Sequence, residues 1–225
     1  YYLNIKIKKG RFIMKKYTKI DTIFERDLNG TKKLMEGKFR DKTVEFLKDN
    51  EWICTEKIDG TNIDIVWDGH TVSYQGRTER AQIPDALLDS LNECFGGSIN
   101  EELFEQKFGE MQVILFGEGY GRRIQSKRGY KFKSKFILFD VYLPEQDLWL
   151  ERKSIEDIAQ TFNIEAVPIV MRATLQEAVD FVKTKPKSVL NDDINMEGLV
   201  CKPAVDLLSR VGKRMIVKIK VEDFI

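Results

Sequence analysis

The hydrophobic pattern of this chain changes period several times, from strict alternation to helical spacing and back. Alternation, or a short apolar run between turn residues, predicts strands over residues 52–56, 62–67, 71–74, 111–116, 136–143, 166–171, 198–202 and 214–221. Asp68-Gly69 between two of them is a hairpin turn signal. Pro84 suits the first turn of a helix, and Leu87, Leu88, Leu91, Cys94 and Phe95 then recur at helical spacing. Asn100 reads as the cap of a short helix carrying Leu103 and Phe104, and Ser154 introduces Ile155, Ile158, Ala159 and Phe162. Thr174 and Glu177 form a capping box before Ala178, Val179 and Val182. Antiparallel-looking strands with interspersed helices predict an α+β fold rather than a doubly wound sheet. The chain has neither a GxxxxGK[ST] loop nor a strand–GxGxxG–helix unit, which argues against the common nucleotide folds.

Composition narrows the field. Thirty-seven basic and 36 acidic residues nearly cancel, so a nucleic-acid surface would have to be a local patch. Cys54, Cys94 and Cys201 are far apart and His70 is the only histidine, which excludes a structural zinc site and suits a reducing compartment. No apolar run approaches the ~20 residues that span a bilayer, and no membrane association is expected. Residues 1–13, before Met14, are basic and alternate Leu3, Ile5 and Ile7 with polar positions. They lack a signal-peptide core and read as a non-essential extension, with an edge strand as the other possibility.

Six segments carry candidate chemistry. The first is Glu56-Lys57-Ile58-Asp59-Gly60-Thr61-Asn62, a lysine at a turn between two predicted strands. An unprotonated lysine is a nucleophile toward phosphorus, and burial or neighbouring cations favour that form. Alone, the motif reads rather as a surface lysine before a turn. Arg77, twenty residues on, has the fork geometry to hold a phosphate. Glu118 lies among Gly117, Gly119 and Gly121 at the end of an apolar strand, where it suits ribose hydroxyls or a hydrated metal. In residues 136–142, Phe136 and Tyr142 are assigned to the core, whereas Phe139 is a candidate to stack on a purine. Glu197 precedes a strand on which Val200 and Lys202 share one face, opposite Leu199 and Cys201. Lys218 and Lys220 point the same way, about 7 Å apart at strand rise, which suits a triphosphate as well as the exposed face of an edge strand. One basic stretch stands out besides: Arg122, Arg123, Lys127, Arg128, Lys131, Lys133 and Lys135 run without an acid, with Tyr130 and Phe132 interleaved. That mixture fits phosphate contacts and base stacking, or a solvated loop.

In this order the segments resemble the covalent nucleotidyltransferase superfamily of polynucleotide ligases and capping enzymes. Thr61-Asn62 after the KxDG lysine makes the chain most similar to the RNA ligase 2-like ATP-dependent RNA ligases, from about Lys19 to Lys220. The resemblance implies a nucleotidyltransferase fold of two mainly antiparallel sheets flanking an ATP cleft. It implies Lys57 as nucleophile, and Glu56, Ile58, Asn62, Arg77, Glu118, Phe139, Glu197, Lys202, Lys218 and Lys220 as nucleotide-binding residues. Glu197 and Glu118 would serve Mg²⁺ or Mn²⁺, and Arg122, Arg123, Lys127, Arg128, Lys131 and Lys133 would contact RNA. The implied activity is AMP transfer from a lysyl adduct to an RNA 5′-phosphate, then sealing to a 3′-hydroxyl, by a cytoplasmic monomer. Residues 14–225 would be the adenylyltransferase domain. Some relatives carry histidine where Asp59 stands, and the chain ends five residues after Lys220, where the family commonly continues into a C-terminal domain. The expectation is therefore a minimal ligase or the catalytic domain of a longer one. A DNA ligase, a capping-type enzyme and a non-catalytic nucleotide- or RNA-end-binding module are the alternatives.

Overall fold

The structure, a computed structural model, describes residues 15–78, 81–124 and 129–224. Two sheets face each other. The five-stranded sheet runs in the order Asp21–Thr22, Val217–Lys220, Gly198–Pro203, Trp52–Glu56, Ile169–Ala173. The six-stranded sheet runs Glu165–Ala166, Lys135–Leu143, Val113–Tyr120, Thr61–Trp67, Val72–Gly76, with Leu148–Trp149 paired on Lys135–Leu143. Pairing is antiparallel except at two short strands, Asp21–Thr22 and Glu165–Ala166. The α+β expectation holds.

Each sheet buries its outer face under helices. The Asp85–Phe95, Ser98–Phe108 and Arg152–Thr161 helices cover Ile63, Ile65, Trp67, Leu115 and Leu138 of the larger sheet. Phe104 sits at the centre of that core, its ring 4.3 Å from Phe162 and 5.5 Å from Trp67. The Leu175–Lys183 helix covers Trp52, Cys54, Leu199, Cys201 and Ile219 of the smaller sheet. Full burial of a large apolar side chain contributes about 1.5–3 kcal/mol, so both outer faces are fixed firmly. The inner faces are left to form a cleft. The alternation read for Leu199 and Cys201 is confirmed, since both are fully buried while Val200 and Lys202 border the cleft.

Several expected elements change at their edges. Residues 166–171 do not form one strand. Glu165–Ala166 pairs with the larger sheet and Ile169–Ala173 with the smaller, so Val167-Pro168 carries the chain between them. The strand at 214–221 shortens to Val217–Lys220, and it is not an edge, because Asp21–Thr22 lies beyond it. Pro84 stands just before its helix rather than in the first turn, its carbonyl accepting from Leu87 N and Leu88 N. Asn100 lies inside Ser98–Phe108, after Gly97, and Ser154 lies inside Arg152–Thr161, after Glu151. The Asp68-Gly69 hairpin forms as read, with the Asp68 carboxylate accepting from His70 N and Thr71 N. The elements Phe24–Arg26, Leu34–Phe39 and Lys42–Phe46 were not foreseen. The edge strand considered for residues 3–7 lies outside the described residues. Among the described residues no helix is long and apolar enough to cross a membrane.

The Thr174 box is complete: Glu177 N donates to Thr174 Oγ1 (3.3 Å) and Thr174 N to Glu177 Oε2 (2.8 Å). Thr174→Ala is expected to remove about 1 kcal/mol of stability. Thermal unfolding followed by circular dichroism should show a Tm lowered by about 2–4 °C.

Candidate active site

Lys57 lies where the chain crosses from one sheet to the other. Trp52–Glu56 belongs to the smaller sheet and Thr61–Trp67 to the larger, so residues 57–60 form one end of the cleft. Glu56 N donates to Pro168 O (3.0 Å) and Lys57 N to Gly198 O (2.9 Å). Gly60 then packs so tightly on the next strand that a Cβ would stand 2.2 Å from Gly119 O. A side chain there would force the turn off the sheet.

The cleft has a volume of about 980 Å³, and Lys57, Glu56, Ile58, Asn62, Arg77, Glu118, Phe139, Lys202, Lys218 and Lys220 all border it. Glu197 joins them: Lys57 Nζ donates to Glu197 Oε2 at 2.7 Å, and Lys220 Nζ lies 2.8 Å from Glu197 Oε1. Lys220 also reaches Glu222 at 2.9 Å. Glu118 is placed by strand pairing, directly opposite Asn62. Lys57 and Glu197, 140 positions apart in sequence, thus share one ion-pair network with Lys220 and Glu222.

Titration follows from burial and these neighbours. Burial lowers the pKa of Lys218, and Lys57, Lys220 and Lys19 lower it further. Burial also opposes charge on Lys220, but Glu197 and Glu222 overcome it and the pKa rises. Burial lifts the Glu118 carboxyl to about 8; Lys57 and Arg77 pull it down less strongly, while Glu197 and Asp59 add to the rise. Near neutral pH Glu118 is therefore mostly protonated.

Phe139 reaches the cleft because of a β-bulge. Phe116 pairs with Asp140 and Gly117 with Leu138, which leaves Phe139 as the extra residue. Phe136, Leu138 and Val141 face the helices, whereas Phe139 and Asp140 do not. Asp140 is fully buried and accepts from Tyr17 Oη (2.7 Å), Lys202 Nζ (2.8 Å) and Arg214 (2.7 Å). Burial works against its charge, but Lys202 and Arg214 prevail and hold the pKa below the ordinary value. Lys202 is thus engaged with Asp140 at the cleft wall. Tyr17 also packs its ring 5.0 Å from Phe139 and 5.1 Å from Phe116.

Asp140, Tyr17 and Arg214 escaped the sequence reading. Asp140 left a signal, since a carboxylate inside an apolar strand must find a cation. Tyr17 left none. The role read for the glycines around Glu118 also changes. A Cβ on Gly117 would meet the Phe136 ring at 2.2 Å, and one on Gly119 would meet Leu87 at 2.3 Å. These glycines admit the helix layer and an aromatic ring.

In the basic stretch, Arg122, Arg123 and Lys131 are exposed. Lys133 is exposed too, but binds Glu93 at 2.8 Å. Lys127 and Arg128 lie outside the described residues. The Tyr130 ring is buried against Tyr120 and Phe132, so it anchors the segment rather than presenting a face to a base. Among the described residues no three His, Cys, Asp or Glu side chains gather to hold a metal. An ion here would rely on one or two carboxylates with phosphate oxygens and water, the usual pattern for Mg²⁺ beside a nucleotide.

Residues 50–220 match the family model described as RNA ligase. No curated protein matches the chain. Among solved structures, a Naegleria gruberi RNA ligase mutant with ATP and Mn superposes with a TM-score of 0.63 at 20% identity, covering 92% of this chain and 56% of that one. The Naegleria gruberi RNA ligase with PPi gives 0.60 at 22% identity, covering 80% and 52%. An apo mutant of the same ligase gives 0.60 at 19%, covering 81% and 53%. The likeness is one of fold, and the chain spans about half the length of these solved relatives.

Behind Asn62 lies Asp64, buried, with Asn62 Nδ2 at 3.4 Å. Burial raises its carboxyl to about 7, with Asn62 opposing. The folded state then binds more protons than the unfolded one between about pH 4 and pH 7. This contribution to stability is complete below the unfolded pKa and is lost as pH rises through about 7. Urea unfolding should show wild-type stability falling over that window relative to Asp64→Asn. A pH-independent difference between the two would refute the assignment.

Proposed function

Since the chain belongs to the RNA ligase family, we propose that residues 14–225 adenylylate themselves on Lys57 with ATP and pass the AMP to an RNA 5′-phosphate. A 3′-hydroxyl then displaces AMP to seal the strand. The observation that carries this reading is the position of the Lys57 amine, 2.7 Å from Glu197 in a cleft that also holds Lys218 and Lys220.

Lys57 Nζ attacks the α-phosphorus, the new N–P bond forms as the P–O bond to pyrophosphate breaks, and Glu197 is the adjacent acceptor for the amine proton. Lys218 and Lys220 stabilise the charge gathering on the leaving group, which is electrostatic catalysis by groups already in position. A divalent cation held by Glu197, and by Glu118 once the ion's charge displaces its proton, would add Lewis-acid stabilisation of the phosphates.

The cleft wall supports adenine as the base. Glu56 is buried; Oε2 accepts from Val189 N at 2.8 Å, whereas Oε1 has no hydrogen-bond partner among the described residues. A buried acceptor without a partner is costly. In this reading the exocyclic amine of adenine would donate to that carboxylate, whereas the keto oxygen of guanine could not. Phe139, held by its bulge, supplies the stacking face. Exposed Arg122, Arg123 and Lys131 are the RNA-phosphate contacts in this reading.

Mass spectrometry after incubation with ATP and Mg²⁺ should show a mass gain matching AMP on the peptide containing Lys57, and none with GTP. Lys57→Ala should retain its fold and lose the adduct. Wild-type protein that takes up no AMP, or an undiminished adduct in the variant, would remove Lys57 from this role.

A further inference from the structure

We propose that Lys19 is a further ligand for the β- and γ-phosphates of the bound nucleotide, and for the pyrophosphate that leaves. This inference rests on the adenylylation reading above. Lys19 lies on the segment leading into the Asp21–Thr22 strand, and with Tyr17, Thr18 and Ile20 it borders the cleft.

That segment is held at both ends. On one side the Tyr17 hydroxyl donates to Asp140 at 2.7 Å while its ring packs on Phe139. On the other, Asp21 and Thr22 pair with Val217 and Lys218, and Ile23 N donates to Lys218 O at 3.2 Å. Lys19 is thereby carried between the stacking residue and the Lys218/Lys220 strand. It is near enough to Lys218 to act on it electrostatically.

Charge pairing points to an anion. Glu197 is shared by Lys57 and Lys220, and Glu222 also serves Lys220. Asp21, two residues after Lys19, is occupied by Lys213 at 2.6 Å and Arg40 at 3.3 Å. Among the described residues, neither Lys19 nor Lys218 has a carboxylate within ion-pair distance. Two ammonium groups facing one cleft without partners suit an anion carrying several charges close together. An attack by Lys57 in line with the leaving group also sends the β- and γ-phosphates away from the Lys57 amine, which leaves them to be held by other cations of the cleft.

The test compares Lys19→Ala and Lys19→Arg with wild type. Calorimetric titrations with ATP, AMP and pyrophosphate are paired with the rate of adduct formation against ATP concentration. Lys19→Ala should weaken ATP and pyrophosphate binding by about fivefold, the scale of one lost contact between partly exposed charges. AMP binding should stay at the wild-type level, and Lys19→Arg should restore most of the ATP affinity. The ATP concentration for half-maximal adduct formation should rise in parallel. Unchanged ATP and pyrophosphate binding in Lys19→Ala would overturn the inference, as would an equal loss for AMP, which would mark a structural role. So would a loss confined to a 5′-phosphorylated RNA, which would make Lys19 an RNA contact. Wild-type protein that binds ATP without forming an adduct would refute adenylylation, while the ATP, AMP and pyrophosphate comparison would still judge Lys19.

Discussion

The site depends on the chain passing between its two sheets at residues 57–60. A crossing of this kind is short and stiff: the Lys57 amide is bonded to Gly198 O on one sheet, and Gly60 is wedged against Gly119 on the other. Lys57 is therefore positioned by both walls of the cleft at once. The second crossing, through Val167-Pro168, closes the arrangement, because Pro168 O receives Glu56 N and Val167 N donates to Leu138 O. A main chain held in this way has little freedom to lose on binding, which is the physical content of preorganisation.

Charge is distributed unevenly over this frame. On one side of Phe139, Asp140 is buried with three donors and has become structural, tying Tyr17, Lys202 and Arg214 to the bulge. At the Lys57 end, four lysines face two ion-pairing carboxylates, and Glu118 is held mostly protonated by burial. One end of the cleft is thus electrostatically closed and the other is open to an anion. In the adenylylation reading, that asymmetry would orient a nucleotide with its base toward Phe139 and its phosphates toward Lys218.

Much of the architecture was legible because its causes are local. The Thr174 box, the Asp68-Gly69 hairpin and the alternation in Gly198–Pro203 depend on neighbours within a few residues. Features set by a partner strand were not legible. The Phe139 bulge arises from a mismatch between Val113–Tyr120 and Lys135–Leu143, which neither strand carries alone. Residues 166–171 look continuous in sequence, yet their hydrogen-bond partners lie on different sheets and divide them. Tyr17 has no periodic signal, since its contact with Asp140 spans 123 positions.

The amino-acid sequence determined which chemistry was on offer: a lysine before a tight turn, isolated carboxylates beside strands, and two lysines on one strand face. Those follow from side-chain type and the two-residue period. Only the tertiary structure decided that these faces look inward onto one cleft, that Lys57 and Lys220 share Glu197, and that Lys202 is engaged by Asp140. The reason is distance. Electrostatic and hydrogen-bond energies act over a few ångströms, and sequence position says nothing about that separation until the sheets are packed.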